Sequence, residues 1–219
     1  MTVASLFVDA FRFMGDNGSL LLRTAGSLSE LAFTALGIAL AVALPLGLWL
    51  GHKHRGLFIA LGASTLGRAL PSIALIGVFI AWLGVGFWNV TLALVILGIP
   101  PILANAYFAV DGVEREIVEA ARGMGLTEAQ ILLRVELPLG LPLILAGVRI
   151  AAVFVIATAT IAAVAGVGGG LGDIIVNPAS YGDAGVLAAA FCVAAIALAT
   201  ALLLALAQHA ASRRMAPRA

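Results

Sequence analysis

Between Arg68 and Asp111 the chain carries no charged side chain, and the run is apolar apart from scattered Ser, Thr, Asn and Tyr. A helix needs about 20 apolar residues to cross the hydrocarbon core of a bilayer, where lipid offers no partner to backbone N–H and C=O groups. The run is therefore expected to fold as membrane-crossing helix, and it is long enough for two. Leu83-Gly-Val-Gly-Phe-Trp-Asn89 supplies turn glycines and an interfacial Trp88 to divide them. Composition agrees: 63% of the 219 residues are apolar and 11% charged, far below the soluble average of about 25% charged.

Charge-free intervals give the remaining spans. Residues 31–51 hold the first, the pair above forms the second and third, 150–172 holds a fourth that starts near Leu143, and 184–212 holds a fifth. The second is expected to begin near Leu61 and to carry Arg68 in its first turns. The expected fold class is an all-α membrane protein with five transmembrane helices.

Lys and Arg are retained on the cytoplasmic side. Lys53 and Arg55 follow the first span, Arg115, Arg122 and Arg134 lie between the third and fourth, and Arg213, Arg214 and Arg218 end the chain. The loops after the second and fourth spans carry neither Lys nor Arg. The N-terminus is thus expected outside and the C-terminus inside. The expected domains are an extracytoplasmic segment (1–26), a transmembrane domain (27–212) with a cytoplasmic hairpin (110–138), and a cytoplasmic tail (213–219). Within the first segment Leu6, Phe7, Ala10, Phe11 and Met14 recur at helical spacing, which fits a surface-lying amphipathic helix, with a disordered tail as the alternative. The net charge of +1 implies no nucleic-acid partner, and Cys192, alone in an apolar run, is read as packing.

The polar loop is informative in detail. From Val110 to Met124, the apolar Val113, Ile117, Ala120 or Ala121, and Met124 recur every three or four positions among Asp111, Glu114, Arg115, Glu116, Glu119 and Arg122, the pattern of one amphipathic helix. Gly125 stands where such a helix stops, at a position that favours a left-handed residue. Thr127 and Gln130 match a capping box for a second, short helix, residues 128–136, which Leu137-Pro138 is expected to end. Pro142 stiffens the path into the fourth span. Ala120 and Ala121 would let another surface approach closely, with Glu119 and Arg122 offering charge-assisted bonds at its edge.

Glu119-Ala-Ala121, Gly125, and Val135 with Leu137-Pro138 occur at the spacing of the EAA loop, and the loop resembles that of permease subunits of ATP-binding-cassette importers. Further stretches are similar to the osmoprotectant subfamily, which serves glycine betaine, choline and carnitine importers. These are Arg68-Ala-Leu-Pro-Ser-Ile-Ala-Leu75, Tyr107, Val118 to Thr127, Val135-Glu-Leu-Pro-Leu139 and Ala165-Gly-Val-Gly-Gly-Gly-Leu-Gly-Asp173. Methionine-importer permeases share the glycine-rich stretch. Arg68 departs from the pattern, which has a neutral polar residue there.

The resemblance implies a type I importer permease fold and a coupling role for Glu119, Ala120, Ala121, Arg122, Gly125, Thr127 and Gln130. It places Pro71 and Ser72 near the pathway. It implies ABC ATPase subunits that bind ATP and magnesium, a second permease copy or paralogue, an extracytoplasmic substrate-binding protein and membrane lipid as partners, and no cofactor in this chain. The residues themselves exclude nucleotide chemistry here. Gly166 to Gly172 fits GxGxxG in no register, and Lys53, the only lysine, lacks the phosphate-cradling glycines of a Walker A loop. His52, His54 and His209 have no metal-ligand spacing and are read as solvated at headgroup level. Arg68 and Arg149 are read as anchors that reach the cytoplasmic interface, with a functional role as the alternative. The competing readings are a methionine-type or other amino-acid permease, a secondary carrier or channel, and a purely structural subunit.

Overall fold

The structure is a computed structural model that describes residues 3–69, 71–165 and 170–215, and among these there is helix and no strand. In chain order the helices are α1 (Val3–Asp16), α2 (Gly18–His52), α3 (Leu57–Ala69), α4 (Ser72–Leu83), α5 (Phe87–Asp111), α6 (Arg115–Gly123), α7 (Glu128–Ile131), α8 (Leu137–Ile161), α9 (Leu171–Val176) and α10 (Pro178–Met215). Helices α2, α5, α8 with the segment leading into it, and α10 are long and apolar enough to cross a membrane.

The expected second span is not one helix. Pro71 adopts φ −68° and ψ 109°, in the extended region, and caps α4 without any side-chain hydrogen bond. The result is two helices of 13 and 12 residues, each shorter than the ~20 residues a span requires. The side chain of Arg68 and residues 166–169 of the glycine run lie outside the described residues.

The first span starts earlier than residue 31, because α2 runs for 35 residues from Gly18. Its polar residues do not interrupt it. The Thr24 hydroxyl bonds the Leu20 carbonyl at 3.0 Å and the Ser27 hydroxyl bonds the Arg23 carbonyl at 3.3 Å, so each satisfies itself on the turn before. Helix ends follow backbone bonding, whereas hydropathy marks only the stretch that lipid can cover.

At the other long connection, Pro138 fails to end the helix begun at Glu128. Residues Leu132–Glu136 form a π-helical turn in which the Leu137 N–H reaches the Leu132 carbonyl. This wider turn precedes the proline, which has no N–H to offer and whose ring would crowd the carbonyl four residues back in an α pattern. The chain continues into α8 without leaving the helix. In α10, Gly182 (φ 64°, ψ 171°) interrupts the pattern, and regular helix resumes next to the expected start of the fifth span.

The chain divides into two compact units. One comprises 1–36, 71–95 and 152–200. In it, α1 lays Phe7 and Phe11 on Phe191, ring centroids 6.0 and 6.1 Å apart, and buries Ala10 completely. Of the two readings of the N-terminal segment, helix is the one observed. The second unit comprises 37–70, 96–151 and 201–219. Its core includes Leu50, Ala60 and Tyr107 in one cluster, and Ala106, Ala109 and Ile144 with Leu44, Leu48 and Leu137 in another. Here α5 is approached closely from both sides: an added Cβ on Gly51 would lie 2.7 Å from the Tyr107 carbonyl oxygen, and one on Gly147 2.5 Å from Asn105 Cβ. Small residues at such seams let helix backbones meet in lipid.

Candidate functional site

The polar connection 110–138 belongs to the second unit and forms a helix–turn–helix, with one break the periodicity did not indicate. Helix α5 ends at Asp111 with the Gly112 N–H on the Phe108 carbonyl (3.0 Å) and the Val113 N–H on Val110 (3.2 Å). Glu114 then turns to φ −56°, ψ 128° before α6 starts. The expected single helix from Val110 to Met124 is thus two. The break frees α6 from the axis of α5.

The turn after α6 is shaped by backbone bonds. Gly125 takes φ +86°, its N–H reaches the Arg122 carbonyl at 3.0 Å, and the Leu126 N–H reaches Ala121 at 3.3 Å. This is the paired bonding of a Schellman motif with glycine in the left-handed position. Thr127 next caps α7. The Gln130 N–H meets the Thr127 hydroxyl at 3.4 Å, and the Thr127 N–H meets the Gln130 side-chain oxygen at 2.9 Å. Both halves of the capping box are present.

The seven expected coupling residues do not all face the same way. Ala121 is buried, 2% exposed, while Ala120 is exposed. Ile117 and Met124, 40% and 75% exposed, lie on the open side of the hairpin with Ala120, so part of the apolar stripe points away from its own chain. Arg122 is already engaged: its guanidinium reaches both Glu128 carboxylate oxygens, Nε at 3.0 Å and Nη2 at 3.2 Å. Glu119, Thr127 and Gly125 are exposed and Gln130 is half-buried.

Behind the hairpin is an ionic chain that sequence reasoning missed. His52, the last residue of α2, has a side chain only 7% exposed, with Nδ1 2.7 Å from Glu136 Oε2 and Nε2 3.2 Å from Glu128 Oε2. Glu136 is 1% exposed. His52 is therefore buried and paired, which overturns its reading as a headgroup-solvated residue. His54, at φ 50°, pairs its Nδ1 with Asp111 Oδ1 at 2.8 Å. His52, Arg115, Val118, Glu119, Arg122 and Glu136 contribute to an open cleft of about 230 Å³ under α6. Among the described residues no group of three or more His, Cys, Asp or Glu could hold a metal ion.

The family described as "Binding-protein-dependent transport system inner membrane component" matches residues 43–217. The chain belongs to this family. Among relatives of this inner membrane component, the carnitine transport permease protein OpuCB of Listeria monocytogenes is 37% identical over 165 residues, 75% of each chain. The glycine betaine/carnitine/choline transport system permease protein OpuCB of Bacillus subtilis is 36% identical over 163 residues, 74% of this chain and 75% of that one. The osmoprotectant import permease protein OsmW of Salmonella typhimurium is 36% identical over 200 residues, covering 87% and 92%. Among solved structures, a chain of the MetNI methionine ABC transporter in inward facing conformations matches with TM-score 0.75 at 20% identity, covering 90% of this chain and 98% of that one. A chain of an amino acid ABC transporter matches at 0.67 and 19%, covering 98% and 100%. At these identities the likeness carries the fold alone, which is that of a type I importer permease.

In this inner membrane component Arg149 is not near a helix end. It lies 13 residues beyond Glu136, the residue whose pairing with His52 marks the level of Lys53 and Arg55. At ~1.5 Å rise per residue that is roughly 20 Å along the helix, beyond the reach of a snorkelling side chain from that level. Arg149 is half-buried, and none of the ion pairs found among the described residues includes it. Pro71 is exposed and Ser72, half-buried, starts α4.

Proposed function

We propose that this chain is the permease subunit of an ATP-driven importer of quaternary ammonium osmoprotectants such as glycine betaine, choline or carnitine. The observation that carries the coupling role is the hairpin itself: a Schellman turn at Gly125 and a capping box at Thr127 fix a short helical elbow whose Ile117, Ala120 and Met124 face outward. A rigid elbow with an uncovered apolar edge suits a socket in a soluble partner. That partner is an ABC ATPase, which binds ATP and magnesium and does the hydrolysis; this chain has no cofactor and no catalytic residue. The names of the relatives support the substrate class.

In this reading residues 110–138 are cytoplasmic, the N-terminal segment 1–26 is outside, and the tail 213–219 is inside. Glu119, Ala120, Ala121, Arg122, Gly125, Thr127 and Gln130 form the docking element. Closure of two ATPase subunits moves the hairpin, and the movement opens the pathway alternately to each side. A second permease copy or paralogue completes the pathway. Pro71 and Ser72, at a helix break, line it; broken helices are where transporters carry such contacts. Affinity resides in a separate binding protein on the outer side, since a quaternary ammonium is best held by aromatic faces and this chain has only three Trp and two Tyr.

The test is uptake into proteoliposomes holding this chain, its ATPase and the binding protein. ATP-dependent uptake of glycine betaine, choline or carnitine is expected. Uptake of methionine or another amino acid alone would reassign the substrate. Uptake without ATP or binding protein would make the chain a secondary carrier or channel.

A further inference from the structure

His52 stands where three elements meet. It ends α2, its Nδ1 faces the buried Glu136 of the π turn, and its Nε2 faces Glu128, the first residue of α7. Glu128 in turn holds Arg122 of α6. Nδ1 lies at hydrogen-bond distance from the Glu136 carboxyl group, 2.7 Å, and Nε2 makes a close contact with the Glu128 carboxyl group at 3.2 Å. The imidazole thus bridges a buried carboxyl group at the end of the π turn, by a hydrogen bond, and a carboxyl group at the tip of the elbow, by an ion-pair contact. The elbow is already joined covalently to α5 and α8. This side-chain bridge adds the end of α2, 76 residues away in sequence from Glu128 (128 − 52).

We propose that His52 is the positioning residue that makes α2 move with the coupling hairpin, so that displacement of the hairpin reaches the first long span as well as the two helices it connects. The proposal rests on the coupling role given above. Without the Nε2 contact, the hairpin still docks and the ATPase still turns over, while part of each stroke is lost because α2 stays behind. The quantity that reports this is substrate moved per ATP hydrolysed, which a residue needed only for folding would not change.

Two substitutions separate the two ends of the ring. Asparagine places its amide nitrogen where imidazole carries Nδ1, so His52→Asn keeps a donor for Glu136 and loses the reach to Glu128. Glutamine places its nitrogen near the Nε2 position, so His52→Gln, combined with Glu136→Gln to leave no buried charge unpaired, keeps the reach to Glu128. In proteoliposomes with ATPase and binding protein, His52→Asn is expected to lower substrate moved per ATP about threefold, the scale of one half-exposed ion pair. His52→Gln/Glu136→Gln is expected to stay close to wild type. A wild-type ratio in His52→Asn, or an equal loss in both variants, overturns the proposal. Should His52→Asn fail to co-purify with the ATPase, His52→Asn/Glu136→Gln against His52→Gln/Glu136→Gln decides in the same way, and failure of all three to assemble also overturns it, since the histidine would then serve only the fold. A wild-type complex that shows no ATP-linked uptake is a separate result, and counts against the importer reading instead.

Discussion

Gly140 of α8 lies so close to α5 that a side chain there would put its Cβ 2.7 Å from the carbonyl oxygen of Ala109. Backbone cannot yield as a flexible side chain does. Gly140→Val is therefore expected to force the helices apart and to destabilise the protein by about 1 to 3 kcal/mol. Gly37 of α2 has nothing within 4 Å of its added Cβ, and Gly37→Ala should be neutral or raise stability by about 0.4 to 1 kcal/mol. Thermal unfolding in detergent measures both, and equal losses would contradict the crowding account.

Gly125 presents the opposite case. Space beside it is open, with nothing within 4 Å of an added Cβ, yet φ is +86°. Gly125→Val is expected to strain the turn by about 1 to 2 kcal/mol and misdirect α7, while Gly125→Asn should be tolerated. ATP hydrolysis stimulated by the binding protein is the readout. It should fall in the valine variant and persist in the asparagine one.

Removing the Thr127 hydroxyl leaves Gln130 half a capping box. Thr127→Ala should cost about 1 kcal/mol locally, seen as faster hydrogen exchange at the amides of Gln130 and Ile131. Exchange in α8 should not change.

Arg149 is expected to matter for transport and little for assembly. Arg149→Leu should lower uptake while the ATPase still co-purifies, because a half-buried cation in a long apolar helix, with no ion pair among the described residues, is expected to meet a polar partner during transport. Wild-type uptake in this variant would contradict that role.

Orientation has a direct check. A reporter active only in the cytoplasm, fused after Ala219, should be active, and one inserted near Asn177 should be silent. The reverse pattern would turn the hairpin to the outside.

The elbow was legible in the sequence because its determinants are local. Gly125 needs only its own φ, and Thr127 and Gln130 are three residues apart, so the turn and the cap follow from spacing. Four of the five expected spans are matched by long apolar helices for a similar reason, although their ends were not legible, since Thr24 and Ser27 carry α2 past its apolar stretch by bonding their own backbone. The break at Pro71 and the passage through Pro138 depend on which backbone bonds the surroundings leave available. His52 was misread for a different cause: its partner Glu136 is 84 residues away, and no local pattern records a pairing that only tertiary packing creates.

The π turn at Leu132–Glu136 also fixes an angle. It holds a surplus residue relative to the α pattern on either side, and each residue of an α-helix advances the side-chain direction by about 100°. Every position beyond Pro138 is therefore rotated from where an unbroken helix begun at Glu128 would put it. Deleting one residue from 132–135 would rewind that turn and swing Gly140 and Gly147 off the seam with α5. The surplus residue sets the phase at which an entire span engages its neighbour.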